Sequence, residues 1–503
     1  MSGNLFAAFE AVAATASAKA FLRAGERTYS YSDLLAQSAK AANVLRAAGV
    51  NRGDRVLVQV EKSPTAVFLY LGCLRSGAVF VPLNTAYTAD EIAYFLGDAE
   101  PSILVCSASA EQRLKDDGAL APAMAILTLE PDESGSLAER MAQAGEAFET
   151  ADLAPDATAA ILYTSGTTGR SKGAMLSHGN LHANVEALDR IWAWRDDDIL
   201  LHALPIFHAH GLFVALHCAL FRATTIIFHA RFDAAAVVRD LPAATVFMGV
   251  PTFYVRLLKD SGFTEEAIAD IRLFISGSAP LTETVFAAFE DRTGHRILER
   301  YGMTEALMIT SNPYDGERVP GSVGYPLPGV DARIEGADRS GEQGPGVLEI
   351  TGPSVFSGYW RQHEKTRDAF TADGYFRTGD IARIAADGRV YLVGRSTDLV
   401  ISGGYNVYPK EIELLIDEMP GVEETAVIGV PHPDFGEAVV ALVVARRGED
   451  FDPERIGGSL SYKLAAFKRP KRIIGIDELP RNAMGKVEKA TLRKRYRDLF
   501  ADG

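Results

Sequence analysis

The sequence predicts an α/β protein: a large N-terminal domain of layered sheets and helices, a small β-rich subdomain, and an α+β C-terminal lobe. Three observations carry this. Short apolar segments alternate with helix-period stretches up to about Gly277, as expected for strands buried on both faces between helices. From about Gly321 the texture changes, with Gly and Pro recurring in GSVGYPLPGV and GEQGPG between apolar strand segments such as VLEITG and VYLVG. After Gly394-Arg395 it changes again, into a run of about 100 residues with its own helices and strands. These shifts divide the chain into 1–395, with the β-rich part at about 321–395, and 396–503.

Taken in order, the Ala-rich N-terminus reads as an amphipathic helix. Ser32 is placed to cap a helix over 33–48, with Gly49 as the left-handed stop. Strand segments follow at Arg55–Val60, AVFVPL, Ile103–Cys106, Ala159–Thr164, Thr224–Phe228, Thr245–Val250 and Leu273–Gly277, with a helix from about Thr65 to Arg75. The last lobe reads as helix Pro409–Glu418, strands Glu424–Val430 and Ala438–Ala445, then helix, strand and a basic final helix.

Composition narrows the function. The 503 residues are 47% hydrophobic and 23% charged, which excludes a disordered or fibrous chain. A net charge of −15 makes nucleic acid and anionic membranes poor partners, so anionic substrates must be drawn in locally. No apolar run reaches the roughly 18 residues of a spanning helix, and the N-terminus lacks a secretory pattern. The expected location is the cytoplasm. Cys73, Cys106 and Cys218 lack metal or disulfide spacing and read as buried thiols of a reducing compartment.

The most informative segment is YTSGTTGRSKGAMLSH, Tyr163 to His178. It leaves a strand and packs hydroxyls and glycines into a tight loop, with Lys172 before a helical stretch. Such a loop aims N–H and hydroxyl groups at a phosphate chain, while the lysine adds a point charge. It is not a Walker loop, because only two residues separate Gly166 from Gly169 and Lys172 precedes Gly173.

With GSAP (Gly277–Pro280), ERYGMTE (Glu299–Glu305), YFRTGD (Tyr375–Asp380), GRSTDLVISGGYNVYPKEIE (Gly394–Glu413) and PRNAMGK (Pro480–Lys486), this loop resembles the adenylate-forming superfamily. That superfamily holds acyl-CoA synthetases, firefly luciferase and peptide-synthetase adenylation domains. The resemblance implies a two-step enzyme using ATP and CoA with Mg²⁺, and a mobile C-terminal lobe. Thr164, Ser165, Gly166, Thr167, Thr168, Gly169 and Lys172 would hold the ATP phosphates. Gly277, Ala279, Tyr301, Gly302 and Thr304 would line the adenine side, and Asp380 and Arg395 would lie at the ribose. Glu305 would hold Mg²⁺, with Thr164 as a second contact. Lys486 would meet the α-phosphate during attack by the carboxylate; it is also an expected target of a lysine acetyltransferase and deacetylase. Thr397 falls at the hinge, where relatives carry Asp or Lys. Ser402, Gly403 and Gly404 would approach the pantetheine arm of CoA. The basic cluster Lys463, Lys468, Arg469, Lys471 and Arg472 is either a contact for the CoA nucleotide or a solvated face.

The acid is read from charges placed where apolar residues are expected. Arg300 precedes YGMTE, and GVPTFYVR puts Arg256 on a helix that in this fold flanks the acyl pocket. A buried guanidinium needs an anion, and its fork matches a carboxylate. A dicarboxylate satisfies both ends of such a site, held by Arg300, Arg256, Ser278 and His208 while its other carboxylate reacts. PIFHAHG (Pro205–Gly211) and MITSNPYDGERVPGSVG are similar to malonyl-CoA synthetases, which implies malonate and leaves methylmalonate open. Arg300 pairing with Glu299 or Asp380 is the competing account. Ligation of another short-chain acid, loading of a carrier protein, and a non-catalytic nucleotide scaffold are the other readings; retained Lys486, Glu305 and Asp380 oppose the last.

Overall fold

The computed structural model describes residues 2–120, 124–164, 171–339, 341–403, 405–481 and 486–501. The chain forms two compact units, Met1–Asp331 with Thr351–Phe376, and Ala332–Ile350 with Arg377–Gly503.

In the first unit, two large sheets are built from the short apolar strands that the sequence predicts. The nine-stranded sheet runs, edge to edge, through Tyr325–Pro326, Leu307–Ser311, Leu298–Met303, Leu273–Ser276, Val246–Gly249, Ile199–His202, Thr225–Phe228, Ala20–Ala24 and Arg27–Ser30. Its central strands are parallel. From Ile199–His202 the chain steps to Thr225–Phe228 on one side, then crosses to Val246–Gly249 on the other. That reversal opens a crevice at the carboxyl ends of the strands, where open α/β sheets bind ligands. The seven-stranded sheet runs through Gly358–Tyr359, Lys172–Ser177, Thr158–Thr164, Val79–Pro82, Arg55–Gln59, Ile103–Cys106 and Ala125–Thr128.

Two local expectations are corrected. The second helix, Tyr31–Ala47, is capped by Ser30, not Ser32. Asp33 stands three residues after Ser30, and the two side chains satisfy each other's backbone N–H groups reciprocally. Lys172 does not lead into a helix. It opens the strand Lys172–Ser177, which pairs antiparallel with Thr158–Thr164. The helix that follows this strand starts only at His178.

Aromatic packing forms the floor beneath the crevice. Tyr254, Phe247, Phe263, Phe274 and Phe289 stack edge-on or tilted in one buried cluster. All three cysteines are free and buried, as expected, and burial pushes the Cys106 thiol up to about 12. Burial also raises Cys73 and Cys218.

The second unit holds a four-stranded sheet of Asp331–Ile334, Gln343–Thr351, Phe376–Ile384 and Val390–Arg395. Its other sheet orders Tyr405–Val407, Val400–Ser402, Gly436–Ala445 and Val422–His432, with Arg472–Gly475 parallel to Gly436–Ala445. Helices Pro409–Asp417 and Pro453–Lys463 pack Ile412, Ile416, Ile456 and Leu460 onto Val427, Val439 and Val443. Among the described residues no helix is long and apolar enough to cross a membrane.

Candidate active site

At the crevice of the nine-stranded sheet, Arg300 is almost fully buried, with 3% of its surface exposed. The parallel pairing of Leu273–Ser276 with Leu298–Met303 sets it beside the GSAP turn. Its guanidinium lies flat over Gly277, where an added methyl would sit 2.4 Å from Cζ. Glycine is required by that approach. Arg300 Nε and Nη2 are buried without a hydrogen-bond partner among the described residues. Glu299 Oε1 accepts from the Leu281 N–H at 3.0 Å. Burial pushes the Arg300 pKa down to about 9, partly offset by Tyr254 and Glu299. Arginine keeps its proton in proteins, so the buried charge is one that an anion would compensate.

Ser278 and two histidines form a polar group nearby, one histidine being close enough to feel the Arg300 charge. Ser278 Oγ lies 3.3 Å from His210 Nδ1, and Ser278 holds a left-handed backbone at φ +68. A non-glycine residue in that region stores strain of the kind concentrated at ligand sites. His210 is 2% exposed, its Nε2 has no hydrogen-bond partner among the described residues, and burial first and Arg300 second keep it neutral. It begins a π-helical turn, His210–Leu216. His208 is half-buried, and its Nδ1 accepts from the His210 N–H at 3.3 Å. The sequence points to His208; the structure also buries His210, near enough for the Arg300 charge to act on its ring. Arg256 is exposed on helix Pro251–Leu258 and is not brought into this buried group.

We expect Gly277→Ala to displace the guanidinium and raise the KM for a dicarboxylate roughly tenfold, as overpacking costs about 1–3 kcal/mol. Steady-state kinetics against a monocarboxylate of equal length checks this, since the monocarboxylate should change less.

Glu305 lies between strands Leu298–Met303 and Leu307–Ser311 and is buried. Tyr359 donates from its hydroxyl to Glu305 Oε1 at 3.0 Å, and Lys172 Nζ sits 4.9 Å above the Tyr359 ring. One oriented carboxylate fits Mg²⁺, which takes one or two carboxylates and completes its shell with phosphates and waters. No group of three or more His, Cys, Asp or Glu side chains forms a metal cage among the described residues. Thr164 pairs in register with Lys172 at the hairpin stem. Ser165, Gly166, Thr167, Thr168 and Gly169 lie outside the described residues. Tyr301 is buried, Gly302 and Thr304 are half-buried, and Ala279 is exposed. The Gly302 backbone comes so close to Leu307 that an added methyl would lie 2.1 Å from the Leu307 carbonyl oxygen.

In the second unit, Asp380 is buried and pairs with Arg395 Nε at 2.9 Å across adjacent antiparallel strands. Thr397 is exposed in the single turn Ser396–Asp398, and Asp398 is tied to Arg493 at 2.6 Å. Ser402 is buried and Gly403 exposed with φ +59, donating to the Phe435 carbonyl at 2.8 Å. Gly404 lies outside the described residues. Lys468 is held by Glu411 at 2.7 Å. Lys486 is exposed.

The sequence profile of AMP-binding enzymes matches residues 9–360, and that of the AMP-binding enzyme C-terminal domain matches residues 411–486. A malonate–CoA ligase of Arabidopsis thaliana is 34% identical, covering 98% of this chain and 89% of its own. The mitochondrial malonate–CoA ligase of Mus musculus is 37% identical, covering 90% and 84%. The ATP-bound crystal structure of MatB from Rhodopseudomonas palustris is 50% identical with a TM-score of 0.95, covering 99% of this chain and all of that one. The chain belongs to the AMP-binding enzyme family.

Proposed function

We propose that this protein is an AMP-forming malonate–CoA ligase. ATP and malonate give malonyl-adenylate and pyrophosphate, and the thiol of CoA then displaces AMP to give the thioester. The observation that carries the choice of acid is the buried, incompletely partnered Arg300 guanidinium, with the buried His210 within reach of its charge. A second carboxylate on a small substrate compensates that charge through a two-point contact. A monocarboxylate leaves it uncompensated. The malonate–CoA ligases among the relatives support the same substrate.

The nucleotide roles follow the family motifs residue by residue. Lys172 and residues 164–169 hold the phosphates, Asp380 and Arg395 the ribose, and Gly277, Ala279, Tyr301, Gly302 and Thr304 the adenine side. Glu305, with Thr164, would hold Mg²⁺, which supplies charge neutralisation at the phosphates. Lys486 stabilises the charge that builds on the α-phosphate. Ser402, Gly403 and Gly404 line the pantetheine path, and the enzyme works in the cytoplasm.

A pyrophosphate-release assay over two- to six-carbon mono- and dicarboxylic acids, with and without CoA, tests this. Malonate should give the highest kcat/KM, and CoA should be required for turnover beyond one equivalent. A monocarboxylate preference overturns the choice of acid. Turnover with a carrier protein but not CoA overturns the second step. Methylmalonate differs by one methyl group, worth only about 1–3 kcal/mol of discrimination.

Thr397 is the proposed hinge between the half-reactions. Proline there fixes φ near −65° and restricts Ser396 as well. Thr397→Pro should leave single-turnover adenylate formation intact and slow thioester formation by at least about tenfold, as expected when a hinge can no longer absorb the backbone change. Equal slowing of both steps removes Thr397 from this role.

A further inference from the structure

Lys62 lies beyond the carboxyl end of strand Arg55–Gln59 in the seven-stranded sheet, where VEKSP reads as an ordinary solvated turn before a helix. It is nevertheless buried, with 8% of its surface exposed. No carboxylate pairs with it among the described residues. Instead Nζ lies 2.8 Å from His202 Nδ1, donates to the His202 carbonyl oxygen at 2.8 Å, and sits 4.2 Å above the Phe228 ring. His202 and Phe228 end two adjacent strands of the other sheet. The lysine thus joins the two sheets at the ends that face the crevice.

The hydrogen-bond roles follow by elimination. His202 Nε2 is 2.9 Å from the carbonyl oxygen of Gly211, which only accepts, so Nε2 carries the proton. Burial, with the neighbouring Lys62 second, holds His202 neutral. A neutral imidazole has one proton, so Nδ1 is the acceptor, and the buried lysine is its donor. Gly211 directly follows His210 in the chain. It also packs so tightly that an added methyl would lie 2.0 Å from the Pro205 carbonyl oxygen. Pinning the Gly211 carbonyl therefore fixes the turn that presents His208 and His210.

We propose that Lys62 is a positioning residue for the acyl site: by holding His202 in its Nε2–H tautomer, it locks the Gly211 carbonyl and seats His210 against Arg300. This rests on Arg300 reading the free carboxylate of the substrate. Without the lysine, His202 Nδ1 is left buried without a donor, or the ring changes tautomer and releases Gly211. Both outcomes loosen the histidine turn while leaving the nucleotide-binding segments in place.

The test combines substrate kinetics with imidazole tautomers read by long-range ¹⁵N–¹H correlation on histidine-labelled protein. In the wild type, His202 should show Nε2–H. Lys62→Met should populate the other tautomer and raise the malonate KM about tenfold, the size expected for one buried hydrogen bond. The ATP dissociation constant, measured by calorimetry, should stay within about twofold, and the propionate KM should rise less than that of malonate. Lys62→Gln keeps an N–H donor and should recover part of the malonate affinity. An Nδ1–H tautomer in the wild type overturns the proposal. So does equal weakening of ATP and malonate, or a Lys62→Gln defect as large as that of Lys62→Met. If Lys62→Met does not fold, the wild-type tautomer and the malonate-against-ATP split in Lys62→Gln decide the matter. Arg300→Ala in the same assays isolates the underlying reading: an unchanged malonate-to-propionate ratio there defeats that reading, while the tautomer measurement still judges the relay.

Discussion

Arg300→Ala should lower malonate kcat/KM by between about 30-fold and several thousand-fold. Truncating one member of a buried charge pair costs roughly 2–5 kcal/mol, and each 1.4 kcal/mol is about tenfold. The loss arises because the substrate carboxylate would enter the site without its counter-charge. Propionate never engages the guanidinium, so its kcat/KM should fall far less and can rise as the uncompensated charge disappears. The ratio of the two acids is the measurement. A folding defect lowers both equally, and an unchanged ratio assigns Arg300 to support of the nucleotide side.

Lys486→Ala should slow malonyl-adenylate formation by about 10²–10³-fold, the loss found when one donor to a developing oxyanion is removed. Thioester formation from preformed malonyl-adenylate should be nearly unchanged, because in the proposed role the lysine acts only while the α-phosphate is attacked. Pyrophosphate exchange reports the first step, and CoA consumption with synthetic adenylate reports the second. Quantitative acetylation of Lys486 should reproduce the same asymmetry, since it removes the same charge. Equal loss in both half-reactions defeats the assignment.

The strands of the first unit were legible because burial on both faces writes them as unbroken apolar runs; ILVC and LFISG need little interpretation. Arg300 is legible from its place directly before YGMTE, a charge where the resemblance leads one to expect an uncharged residue. The helix cap was misjudged because Ser30 and Ser32 stand two apart, and only the reciprocal bond with Asp33 selects the first. The strand Lys172–Ser177 was missed because KGAMLS follows a polar loop and is too short to show a period. His210 is not singled out by the sequence because HAH offers two histidines, and only the fold decides which one is fully buried. Lys62 left no trace in the sequence: a lysine between a strand and a proline is ordinarily solvated, and its burial depends on His202, 140 residues away.

The three sealed thiols have a practical consequence. A cysteine reacts through its thiolate, and here burial both raises the pKa and blocks access. The wild-type background is therefore silent to maleimide dyes without removing a single native cysteine. Tyr462, 93% exposed in the second unit, and Asp117, exposed in the first, are suited to replacement by cysteine as a dye pair. Single-molecule fluorescence transfer between them would follow the C-terminal lobe through turnover, and Thr397→Pro would show whether the second half-reaction waits on that movement.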